Sequence, residues 1–141
     1  SKNIIKNWNS MNFVKNLIFI SLLLFLLSCD KTATSFIINN RKDEITVKVK
    51  IDQVALENLD KEYIEKGFMV GEETLDDYEV KIDSSETYMF DIKKGTKPDY
   101  FGIKEIEIYS GDTLILKCRK DQMQKLFTSE QNKEGYNLVI N

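Results

Sequence analysis

The sequence predicts an all-β, mainly antiparallel fold, a small β-sandwich with one or two short helices, preceded by an N-terminal signal segment. Three observations predict it. Apolar residues alternate with charged ones over several short runs, turn-forming residues punctuate those runs, and no strand–helix–strand rhythm of the kind that builds parallel sheets occurs. Bulk composition agrees with one globular domain: 141 residues, 42% hydrophobic, 30% charged, six Gly and one Pro. The chain has no His, which removes imidazole catalysis and His-based metal sites, and its two Cys are too few for a disulfide scaffold or a four-Cys zinc site.

The strands can be taken in order. Phe36–Asn40 is a first β run, closed by Asn39-Asn40 turn chemistry. Glu44–Asp52 is the cleanest signal: Ile45, Val47, Val49 and Ile51 alternate with Thr46, Lys48, Lys50 and Asp52, so β-branched residues line one face. The turn-rich segment between these runs suggests that they form a hairpin. Leu56, Leu59 and Tyr63 then fall at helical spacing, with Asp52 placed to cap a helix and Gly67 placed to end it. Phe68-Met69-Val70 is a further strand candidate. Tyr78, Val80 and Ile82 share a face, as do Tyr88, Phe90 and Ile92, which the alternation points inward. Ile106 and Ile108 alternate with Glu105, Glu107 and Tyr109. After the Ser110-Gly111-Asp112 turn, Leu114, Leu116 and Cys118 fall on one side. Asp121 is placed to cap a short helix carrying Met123, Leu126 and Phe127, and Tyr136–Ile140 closes the chain. About 105 residues and this strand count match an immunoglobulin-like sandwich in size, but the Cys-Trp-Cys spacing of antibody-type domains is missing.

The N-terminus is unlike the rest. Lys2, Lys6 and Lys15 precede Cys29 and no acidic residue does, so the chain from Cys29 onward has 17 basic against 23 acidic residues, a net charge of −6. Residues 17–27 form an uncharged apolar run of 11, shorter than the roughly 20 residues that span a bilayer and within the range of a secretory signal peptide. Leu26-Leu27-Ser28-Cys29 ends it.

That ending resembles the lipobox of bacterial lipoproteins, and the resemblance covers residues 11–29 only. It implies cleavage between Ser28 and Cys29, and a diacylglyceryl group on the Cys29 thiol. The expected organisation is therefore an upstream extension over 1–10, ahead of Met11 as the start; a signal peptide over 11–28; the lipidated Cys and a short tether over 29–35; and the sandwich over 36–141. Trp8 is the only Trp, so the processed protein has none. Two or three acyl chains on one Cys would hold a protein firmly without a spanning helix. The implied location is the bacterial cell envelope, with the leaflet left open.

The domain is poor in catalytic signatures. Cys118 has no His to activate it, and its spacing places it among core apolar residues. The chain contains no G-x-S-x-G and no phosphate-binding Gly loop. No catalytic residue, metal ligand or cofactor is assigned, apart from covalent lipid at Cys29. Gly71–Glu79 is acidic but lacks calcium-loop spacing and reads as a solvated loop. The negative charge argues against nucleic acid as a partner. Tyr100 and Phe101, in a loop stiffened by Pro98, and Tyr109, on a Glu-lined strand face, form the candidate binding surface; loop aromatics of this kind also plug the open ends of sandwiches. The expected function is a lipid-anchored, non-catalytic domain that is structural or binds an envelope protein or external ligand. The alternative is a small inhibitor or immunity-type lipoprotein that blocks a toxin or hydrolase. A carboxylate-dependent hydrolase is a third reading, which requires two carboxylates in one pocket. The oligomeric state is not assigned.

Overall fold

The computed structural model describes residues 13–20, 31–130 and 134–141. The chain falls into two compact units, Ser1–Lys31 and Thr32–Asn141. In the first, residues 13–20 are helical (α1) with every side chain exposed. Ser28 and Cys29, the proposed upstream extension 1–10 and most of the expected signal peptide lie outside the described residues. No described helix is long and apolar enough to cross a membrane.

The second unit is a β-sandwich. Its elements run β1 (Thr32–Asn39), β2 (Ile45–Ile51), α2 (Gln53–Glu65), β3 (Tyr78–Ile82), β4 (Thr87–Lys94), β5 (Ile103–Ser110), β6 (Thr113–Arg119), α3 (Lys120–Leu126) and β7 (Tyr136–Ile140). One sheet has the order β4-β1-β7 and the other β3-β2-β5-β6. Among the described strands only β1 and β7 pair in parallel. Between the sheets lies one core that includes Ile37 and Leu138 from the first and Ile45, Val47, Ile106 and Ile108 from the second. Each such side chain contributes about 1.5–3 kcal/mol by leaving water. Constant-type immunoglobulin sandwiches pair their first and second strands. Here β1 and β2 belong to different sheets, so the topology is not that one.

The same observation corrects the expected hairpin between the first two runs. Residues 40–44 cross from one sheet to the other. Asn39 ends β1 fully buried, and its side-chain amide donates to the carbonyls of Asp43, Ile82 and Asp83 at 2.8, 3.0 and 3.2 Å, while its Oδ1 accepts from the Arg41 backbone N–H at 3.0 Å. One side chain thus ties the β1–β2 crossing to the β3–β4 crossing.

The strand β1 also starts four residues before the expected boundary, so Thr32–Ser35 are sheet rather than tether. The alternation was hidden because its inward residues there are Ala33 and Ser35, small and polar enough to resemble a linker. Ser35 is polar because its hydroxyl lies 3.0 Å from that of Tyr100 inside the core.

The helix α2 forms as its signals predict. Asp52 accepts from the Ala55 N–H at 3.1 Å, and Gly67, at φ +85°, ends the helix in the left-handed turn that favours Gly, with the Phe68 N–H donating to the Tyr63 carbonyl at 2.9 Å. Phe68-Met69-Val70 is not a strand. Phe68 instead packs edge-on against Tyr63, ring centroids 5.9 Å apart, so its apolar contact is with the end of α2. Asp121 is not the cap of α3 either: that helix begins at Lys120, and the Gln122 side chain accepts from the Arg119 backbone N–H at 3.0 Å.

Two β-bulges overturn two of the expected faces. Between Ser35 and Phe36 the β4 partner skips from Asp91 to Met89, leaving Phe90 as the extra residue. Beyond the bulge the phase inverts: Asp91 lies opposite buried Ser35, and Ile92, expected inward, is 58% exposed. Between Ile108 and Tyr109 the β6 partner skips from Leu116 to Leu114. Leu116 and Cys118 remain on the core side, but Leu114 turns outward beside Tyr109 and is 47% exposed.

Candidate functional site

The bulge in β4 builds the most chemically distinctive surface of the sandwich. By turning Asp91 toward the space between the sheets, it places a carboxyl in a groove of about 230 Å³ whose walls include Ile51, Leu56, Leu75, Tyr78, Phe90 and Phe101. Burial, and then the nearby charge of Asp99, raise the Asp91 pKa above the usual carboxylate value, partly offset by Lys93. Burial also pushes the Tyr78 hydroxyl up to about 12. Asp91 is the one carboxylate among the residues lining the groove.

The helix α2, whose Leu56 lines this groove, and the segment after it are little covered. None of the 13 residues of α2 is buried, although Leu56 packs against the core from its edge. Val54, Ile64, Phe68, Met69 and Leu75 are all more than half exposed, and Met69 is completely so. The exposed acidic segment 72–77 follows them in the chain. Part of that segment is docked: the Asp77 carboxylate accepts from the Ile51 N–H at 2.8 Å, and the Leu75 carbonyl accepts from the Gln53 side chain at 2.6 Å.

The three aromatics singled out from the sequence do not form one surface. Tyr100 is fully buried, so it leaves the candidate binding surface. Its ring packs against Phe127 and Phe90 at centroid distances of 5.1 and 6.2 Å, plugging the end of the core, and burial pushes its hydroxyl up to about 12. Phe101, the next residue, is 42% exposed at the lip of the Asp91 groove, with the Lys120 ammonium 5.0 Å from its ring centroid. Tyr109 lies at the other end of β5, where it lines a separate polar depression with Thr46 and Asp112. Six residues of strand, about 20 Å, separate Ile103 beside the groove from Tyr109.

Tyr109 belongs to a cross-strand charge network. Lys48 lies 5.0 Å over its ring, and its hydroxyl donates to Glu107 at 2.9 Å. Lys117 reaches both Glu107 and Glu105, at 3.0 and 3.3 Å, and Lys50 reaches the same two carboxylates at 3.6 and 3.0 Å. The hydrogen bond from Lys117, followed by that from Tyr109, holds Glu107 down at about 2. A carboxylate depressed in the folded state stabilises above its unfolded pKa of roughly 4.3 and loses that contribution as pH falls through the folded value. The thermal midpoint is therefore expected to fall between about pH 4.5 and pH 2, and Glu107→Gln to flatten that part of the profile. A variant with the same pH dependence as the parent chain would refute the assignment.

Cys118 is fully buried, and burial raises its thiol pKa, which keeps it protonated and unreactive. Among the described residues no three Cys, Asp or Glu side chains are gathered as a metal site. The groove residue Asp91 had no sequence signal: an Asp in an apolar run reads as outward-facing until the bulge is known. Compared with known proteins, the chain matches no protein-family model, no curated protein and no solved structure.

Proposed function

We propose that the chain is an exported lipoprotein of a bacterial cell envelope, held at the membrane by lipid on Cys29, with the sandwich acting as a non-catalytic binding module for a protein partner. The observation that carries the binding reading is the face formed by α2 and the segment after it. A helix that buries no residue, next to fully exposed Met69, leaves apolar surface uncovered beside a groove. The exposed acidic segment 72–77, tied to the start of α2 and to the groove through Gln53 and Leu75, selects a basic partner. A Lys or Arg of the partner fits the groove in both its parts, with its apolar stem against Ile51, Leu56 and Phe101 and its cation at Asp91. The exposure of the acidic segment also suits an inhibitor or immunity-type lipoprotein that covers a basic toxin or hydrolase through this face.

Crosslinking capture from intact cells tests the binding reading. Asp91→Asn is expected to weaken capture of the partner about tenfold, and Met69→Ala with Phe101→Ala about thirtyfold, with thermal midpoints close to that of the parent chain. Capture undiminished by both changes would sink it. Metabolic labelling with a palmitate analogue tests the anchor separately: label should enter the chain and disappear in Cys29→Ala.

A further inference from the structure

The end of the sandwich where β1 begins carries the Asp91 groove and the acidic segment 72–77, and beside them a separate set of lysines. Thr32, the first residue of β1, pairs with Lys94. Beyond Lys94, the Tyr136 hydroxyl donates to the Thr96 carbonyl at 2.7 Å, which holds the loop against the start of β7. Lys97 and Tyr136 line a depression there of about 410 Å³, which shares Gln124 with a second of about 580 Å³ lined by Lys104, Arg119 and Lys120. Through Gln124 they adjoin as one trough, on the side of the sandwich where Tyr136 pairs with Ser35 in the first half of β1.

The two carboxylates in the trough already have cationic partners. Asp99 pairs with Lys93, and Asp121 with Arg119 at 4.0 Å. Lys97, Lys104 and Lys120 form no ion pair within 4 Å among the described residues, and Lys97 and Lys104 are exposed. The trough is therefore an electropositive concavity with charge left for an external anion.

We infer that this trough docks on the anionic phospholipid headgroups of the membrane that carries the Cys29 lipid, taking their phosphates between Lys97, Lys104 and Lys120. The inference rests on the anchor reading. Cys29 is three residues before Thr32, so in any chain conformation its Cα lies within roughly 11 Å of the start of β1, on the order of one Debye length at physiological salt. Each Lys near an anionic surface strengthens attraction about fivefold. The lipid would set the distance, and the trough would set the orientation, turning the lysine-lined side of this end toward the bilayer and the Asp91 groove away from it.

Amine footprinting of the full chain in vesicles tests this. The protein is recovered from a bacterial host in detergent, the mass on Cys29 is measured, and the chain is reconstituted into phosphatidylcholine alone or with about one third phosphatidylglycerol. Lysine acylation is then read by mass spectrometry. In anionic vesicles Lys97, Lys104 and Lys120 should react about fivefold more slowly than in neutral ones, while Lys42, in the loop after β1 at the opposite end, should not change. The protection should vanish at 0.5 M salt, and Lys104→Glu with Lys120→Glu should return Lys97 to its neutral-vesicle rate. Equal rates in the two vesicles would overturn the inference. Protection in neutral vesicles that grows with protein density would overturn it in favour of a second copy of the chain. The mass on Cys29 reports on the anchor independently; should it show no lipid, the same comparison with added vesicles still reads the trough alone.

Discussion

Asn39→Asp is expected to lower the thermal midpoint by about 15 °C, although the two side chains are nearly the same size. Asn39 is fully buried, and its NH₂ group serves three backbone carbonyls at the point where both sheet crossings meet. An ionised carboxylate there donates nothing and sets its charge against those three oxygens. Leaving buried acceptors unserved costs about 1–3 kcal/mol, and an unpaired buried charge costs more. A loss of about 4 kcal/mol at roughly 4 °C per kcal/mol gives the stated shift. Asn39→Ala, which loses the donors without adding charge, should cost about 3 kcal/mol. The aspartate variant also carries a pH signature. Burial would raise the folded pKa of the new carboxyl above its unfolded value of about 3.9, so the folded state would bind the proton more tightly. Its deficit relative to the parent chain is therefore greatest above the folded pKa and shrinks as pH falls toward 4. Urea melts of both proteins at pH 7 and pH 4 read this directly, and a deficit independent of pH, or a midpoint within 3 °C of the parent, would contradict the role given to Asn39.

What could be read from the sequence follows from what alternation encodes. Period-two patterns marked β2, β3, β5 and β6 because their inward residues are mostly β-branched or otherwise apolar, and Asp52 and Gly67 marked the ends of α2 through local chemistry. Sheet assignment was not legible, because the loop at 40–44 looks the same whether it turns back on its own strand or crosses to the other sheet. Faces were legible only up to a bulge. Ile92 and Leu114 each lie beyond a skipped residue, and nothing in the local sequence marks the skip; only the partner strand fixes it. The groove was unreadable for the same reason, since Asp91 reaches it by way of the bulge. Its exposed rim was misread too: Phe68 and Met69 look like strand residues because sequence records that they are apolar and not whether anything covers them. Small inward residues produced the opposite error at Ala33 and Ser35.

Tyr100 shows how closely binding and structural aromatics resemble each other in sequence, and substitution should separate it from its neighbour. Tyr100→Ala is expected to cost about 4 kcal/mol, near the middle of the range for emptying a large aromatic site, because the ring packs against both members of the stacked Phe90–Phe127 pair with no exposed surface. Its backbone, at φ +51°, is left-handed, so the fold holds a strained non-glycine residue there for the sake of the ring. Tyr100→Phe keeps the ring and leaves the Ser35 hydroxyl alone in the core, at a cost of about 1–2 kcal/mol. Removing that hydroxyl as well, in Ser35→Ala with Tyr100→Phe, should recover about 1 kcal/mol of coupling. Phe101→Ala, one residue on, should change stability by less than about 1 kcal/mol and act on partner capture instead. Chemical denaturation of the four proteins decides between plug and platform. Were Tyr100 a recognition residue, Tyr100→Ala would leave stability within about 0.5 kcal/mol of the parent, and the end of the core would have to be closed by something other than its ring.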